Sequence, residues 1–90
     1  MHFSYDPHKR ASNLKKHGLD FSDAQGVIES GQTVTLEDRR FEYGEARFLT
    51  FGLLQGVVIA IATAETDTTI RIISMRKANK HEQKIYFENH

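Results

Sequence analysis

"GVVIAIATAE", residues 56–65, is apolar or small at almost every position and carries no charge before Glu65. A β-rich run of that kind reads as a strand covered on both faces, and so as the middle of a sheet. Three further runs rich in Val, Ile, Thr, Leu and Phe flank it: "TVTLED" (33–38), "RFLTFGLL" (47–54) and "TTIRIISMR" (68–76). They are separated by "RRFEYGEA", by Gln55-Gly56 and by Thr66-Asp67. Connections this short force antiparallel neighbours, because a parallel crossover needs a dozen or more residues. A four-stranded antiparallel sheet follows.

Towards the N-terminus, "HFSY" (2–5) reads as a short extra strand. Asp6 is then a good helix N-cap, Pro7 suits the first helical position, and Gly18 ends the helix after Lys15, Lys16 and His17. Ala11 and Leu14 supply its apolar stripe. "FSDAQGVIES" (21–30) restarts with Ser22 and Gln25 at capping-box spacing, with Phe21, Ala24, Val27 and Ile28 on one face. Its interior Gly26 costs about 1 kcal/mol against Ala, which predicts close packing there. Beyond the sheet, Asn79 and Glu82 form a second capping-box pattern, opening a last helix that carries Ile85, Tyr86 and Phe87 inward. The chain is thus expected to be a single α+β domain over residues 1–90, with two N-terminal helices and a C-terminal helix on one face of the sheet and the other face partly open.

Ninety residues support one core. No apolar stretch approaches the roughly 20 residues that span a bilayer, and "MHFSYDPHKR" lacks the apolar run of a signal peptide, so a cytoplasmic protein without membrane contact is expected. The absence of cysteine excludes disulfides, thiolate zinc sites and a cysteine nucleophile. No H-x-x-x-H or H-E-x-x-H spacing, phosphate-binding glycine loop, dinucleotide fingerprint or nucleophile elbow is present. Neither a metal nor another cofactor is expected.

The formal charge is zero, yet it is unevenly distributed. Residues 1–17 hold Lys9, Arg10, Lys15 and Lys16 against Asp6, a net +3. Residues 71–90 hold Arg71, Arg76, Lys77, Lys80 and Lys84 against Glu82 and Glu88, again +3, and residues 18–70 carry −6. Such asymmetry predicts a local basic face. Period-two alternation puts Ile70, Ile72, Ser74 and Arg76 on one side of the last strand and Arg71, Ile73 and Met75 on the other. Lys77, Lys80 and His81 follow at once, where the start of a helix adds partial positive charge, a combination suited to a phosphodiester. His8 and Lys9 form a smaller cationic pair in the first turn of the first helix. The plainer account pairs Arg71 with Glu65 across a hairpin and leaves the lysines solvated.

"YDPHKRASNLKKHGLDFSDA", "GEARF" and "RIISMRKANKHE" together resemble the BrnT toxins of bacterial type II toxin–antitoxin modules. Asp6, Pro7, Lys9, Asn13, Lys16, His17 and Gly18 match the first motif, Gly44, Glu45, Arg47 and Phe48 the second, and Arg71, Ser74, Arg76, Lys77, Ala78 and Glu82 the third. Tyr5 stands where the family more often has Trp. The resemblance implies a RelE-like fold, an RNA-cleaving toxin that blocks translation, and a BrnA-type antitoxin through which alone DNA is bound.

RNA can be cut without metal when its own 2′-hydroxyl attacks phosphorus, provided protons are moved and the developing charge is neutralised. On this reading Arg71 and Arg76 stabilise the charge, Lys77, Lys80, Lys9 and His8 hold phosphates, and Glu65 or His81 moves the protons. Tyr86 or Tyr43 would offer a stacking platform for a base. The competing expectation is a non-catalytic module that binds nucleic acid or protein beside a DNA-binding partner.

Overall fold

The computed structural model describes residues 1–39 and 45–89. In chain order its elements are β1 (His2–Tyr5), α1 (Pro7–His17), a 3₁₀ turn (Phe21–Asp23), α2 (Ala24–Glu29), β2 (Val34–Asp38), β3 (Ala46–Leu54), β4 (Val57–Glu65), β5 (Thr69–Lys77) and α3 (Lys80–Asn89). The strands form one sheet in the order β1-β5-β4-β3-β2, so the apolar run at residues 56–65 supplies its central strand. β2 to β5 are antiparallel, and β1 adds a fifth strand parallel to β5. The fold is α+β. Among the described residues no helix is long and apolar enough to cross a membrane.

Local chemistry sets the helix ends. Asp6 accepts the His8 amide at 2.8 Å, Pro7 opens α1, and Gly18 closes it at φ 70° with its N–H on the Leu14 carbonyl. The second helix begins differently from the expected Ser22–Gln25 box. Asp20 is the cap, accepting Ser22 N–H at 3.0 Å, and the chain passes through the 3₁₀ turn before α2. Gln25 bonds Glu29 one turn on instead. At α3 the predicted box is present in full: Glu82 N–H donates to Asn79 Oδ1 at 2.8 Å and Asn79 N–H to Glu82 Oε1 at 2.9 Å. The β3–β4 hairpin turns on Gln55 and Gly56, both at positive φ, as a tight turn of this hand requires.

Two apolar layers lie on opposite sides of the sheet. Phe21, Ala24 and Val27 pack with Ile59, Ile61, Ile70, Ile72 and Met75 on one side. Phe51, Val58, Ala60, Ala78 and Tyr86 pack on the other. The three helices therefore do not share a face. Ala78 N–H bonds the Val58 carbonyl at 3.0 Å, which turns the chain after β5 so that α3 lays Tyr86 over Phe51, against β2, β3 and β4. α3 packs at the Phe51–Ala60 end of its side; farther along that side Arg47, Arg71 and Ser74 are half-buried.

The inward face of α1 also departs from the periodic reading. Ala11 and Leu14 are exposed, and the buried residue is Asn13. Its Nδ2 donates to the Met75 carbonyl at 2.9 Å and to the Leu19 carbonyl at 3.1 Å, while its Oδ1 accepts Met75 N–H at 3.1 Å. β1 stops pairing at Ile72, and the Asn13 carboxamide continues the ladder beyond it. Gly26 is not a close-approach site either, since a Cβ there would meet nothing within 4 Å. That role falls to Gly52, where a Cβ would lie 2.5 Å from Val27 Cγ1.

Candidate active site on the arginine face of the sheet

One irregularity in β5 decides which side each basic residue occupies. Ser74 pairs with Ala62 and Ile72 with Thr63, so Ile73 is an extra residue, a β-bulge. Alternation is reset across it. Ile70, Ile72 and Met75 all face the α1–α2 side, whereas Arg71, Ser74 and Arg76 stand opposite Ala64, Ala62 and Ala60 on the α3 side. Strict alternation had separated the two arginines. The bulge puts them on one face, over a floor of small residues.

The same face carries Arg47, the partner of Ala64 on β3, and Asp38, the partner of Arg47 on β2. Asp38, Arg47, Leu49, Ala62, Ile73 and Arg76 help to line a cavity of about 250 Å³ there.

The two arginines are held unequally. Arg76 makes a two-pronged contact with Glu82, Nη1 to Oε1 at 2.7 Å and Nη2 to Oε2 at 2.9 Å. Glu82 is buried, and its bond from Asn79 N–H fixes it further. The hydrogen bonds from Arg76 hold the Glu82 carboxyl below its ordinary value, and Glu82 in turn raises Arg76. Arg71 instead uses a single nitrogen, Nη2, at 3.1 and 3.2 Å from the two oxygens of Glu45. Its partner is thus Glu45 and not Glu65. Both arginine side chains keep more than a third of their surface in solvent.

The remaining expected site residues are distributed as follows. Lys80 and His81 are exposed in the first turn of α3, next in sequence to Glu82. Lys77 is exposed at the end of β5, opposite Ile59 and so on the other side. His8 and Lys9 are exposed in the first turn of α1, just past the end of β1. Glu65 pairs with Ile70 and Ala46, which turns it to the α1–α2 side, away from both arginines; partial burial pushes its carboxyl up. Tyr86 is fully buried and its hydroxyl donates to the Gln32 carbonyl at 3.0 Å, so it is a core anchor and offers no platform for a base. Tyr43 lies outside the described residues. Among the described residues, no three His, Asp or Glu side chains gather as a metal site would require.

Sequence reasoning gave Glu82 its place in the capping box but not its hold on Arg76, and assigned no role to Glu45 or Asn13. All three stand within the quoted motifs, but only the register of β5 shows what they hold.

Comparison with curated proteins finds no significant match. A family model described as "Ribonuclease toxin, BrnT, of type II toxin-antitoxin system" matches residues 5–82, which include both arginines, their two carboxylate partners and Asn13. The chain belongs to the BrnT family of ribonuclease toxins of type II toxin–antitoxin systems.

Proposed function

We propose that this toxin cleaves RNA without a metal ion, on the sheet face that carries Arg71 and Arg76, and that the damage falls on messenger RNA in a RelE-like manner. The observation that carries the reading is the shared side of Arg71 and Arg76 over the alanine floor of β4. Two guanidinium groups on one face suit the extra negative charge of a pentacoordinate phosphorus, because a fixed cation stabilises charge most where it develops. Lys80 and His81 at the start of α3, with Lys77, His8 and Lys9 farther out, hold the flanking phosphates. His81 supplies a proton to the leaving oxygen.

Neutralisation follows from the same chemistry. The partner is a BrnA-type antitoxin that sets acidic groups or a helix against the arginine face, and the complex meets DNA through the antitoxin. The specific observation favouring a non-catalytic module instead is that each arginine already has a carboxylate partner.

Induction of the native protein beside Arg71→Ala and Arg76→Ala separates the two. Growth arrest with cleaved messenger RNA is expected from the native protein alone. In purified form the same cleavage should persist in excess chelator and fall about 10²-fold or more in each variant. A native protein that binds antitoxin yet leaves RNA intact, in cells and in the tube, establishes the module instead.

A further inference from the structure

Internal attack on phosphorus needs a group that takes the 2′-hydroxyl proton on the side where the cations hold the phosphate. Glu65 is on the wrong side of the sheet. Glu82 is on the right side but both its oxygens are engaged by Arg76, one of them by Asn79 N–H as well, and its side chain is only 10% exposed. Asp38 already has a partner of its own and stands three strands from Arg71.

Glu45 differs from all three. It lies just before β3, two residues ahead of Arg47, and it meets Arg71 through one shared nitrogen at 3.1 and 3.2 Å. Its side chain is 30% exposed. A phosphate oxygen that takes over Arg71 Nη2 releases this carboxylate beside the phosphorus that the guanidinium now holds.

We propose that Glu45 is the general base of the cleavage, a role that rests on the RNA-cleaving reading above. Glu45 takes the 2′-hydroxyl proton as the 2′-oxygen bonds to phosphorus. The bond from phosphorus to the 5′-oxygen breaks, and that oxygen leaves as a hydroxyl with a proton from His81. The products are a 2′,3′-cyclic phosphate and a 5′-hydroxyl end, and exchange with solvent returns the proton from Glu45 and restores that of His81. No oxidant, metal or water is consumed.

The test is cleavage of a short single-stranded RNA by the native protein, Glu45→Gln, Glu45→Asp and Glu65→Gln, measured across pH. For the native protein the rate should rise with pH on the acid side, as a carboxylate base requires. Glu45→Gln should lose about 10²–10⁴-fold in kcat with a smaller change in KM, and its residual rate should lack that acid-side rise. Glu45→Asp should recover part of kcat and the rise, and Glu65→Gln should keep both. The role is overturned if Glu45→Gln keeps the native pH profile at lower amplitude, if it cleaves faster than the native protein, or if Glu65→Gln removes the rise. A native protein that cleaves no RNA overturns the underlying reading and this role with it; cleavage by the native protein with an unaltered Glu45→Gln profile overturns this role alone.

Discussion

Asn13 does with one carboxamide what a strand does with two peptide groups, since it both donates to and accepts from Met75 at a sheet edge that β1 has ceased to cover. Removing it leaves a buried N–H and C=O unpaired, so Asn13→Ala should cost about 2 kcal/mol in urea unfolding. Periodicity cannot reveal such a residue, because it assigns polar side chains to the outside; Ala11 and Leu14 looked like the inward stripe for that reason. Glu82 gives a pH signature. Its folded carboxyl is depressed by Arg76, so its contribution is present above the ordinary carboxylate value and is lost as pH falls through the lowered one. On acidification below about pH 5, Tm should fall more steeply for the native protein than for Glu82→Gln. Glu65 has the opposite sign: its carboxyl is raised, so the native state favours the protonated form and gives up that stability as pH rises through the raised value.

At the level of elements, the strands, the caps at Asp6 and Asn79 and the ends of α1 were legible, because each follows from short-range chemistry. What crosses between elements was not. The bulge at Ile73 is invisible to alternation, which has no way to count an unpaired residue, so the two arginines were assigned to opposite sides. The same limit led close packing to be sought at Gly26, although the constraint belongs to Gly52. The pair makes a clean experiment. Gly26→Ala should stabilise the protein by about 0.5–1 kcal/mol, as expected for an unobstructed helical glycine. Gly52→Ala should destabilise it by about 1–3 kcal/mol, because Val27 is buried and must shift to admit the methyl group. Thermal or denaturant unfolding of the two variants reads both signs.

For the molecule as a whole, a formal charge of zero means that attraction to RNA has to come from a local surface and not from the total. Binding of single-stranded RNA should therefore weaken with salt, and each phosphate-contacting cation removed, Lys80 for example, should reduce the log–log slope by about 0.7. The basic ends of the sequence were visible from the start, but that α1 and α3 lie on opposite sides of the sheet depends on how the chain turns at Ala78. The parallel pairing of β1 with β5 also orders events during synthesis. Among the described residues β1 has β5 as its one neighbour, so the pairing of residues 2–5 waits until residues 69–77 have been made. Both arginines arrive with that final strand. A polypeptide cut before β5 therefore has neither arginine and no strand for β1 to pair with.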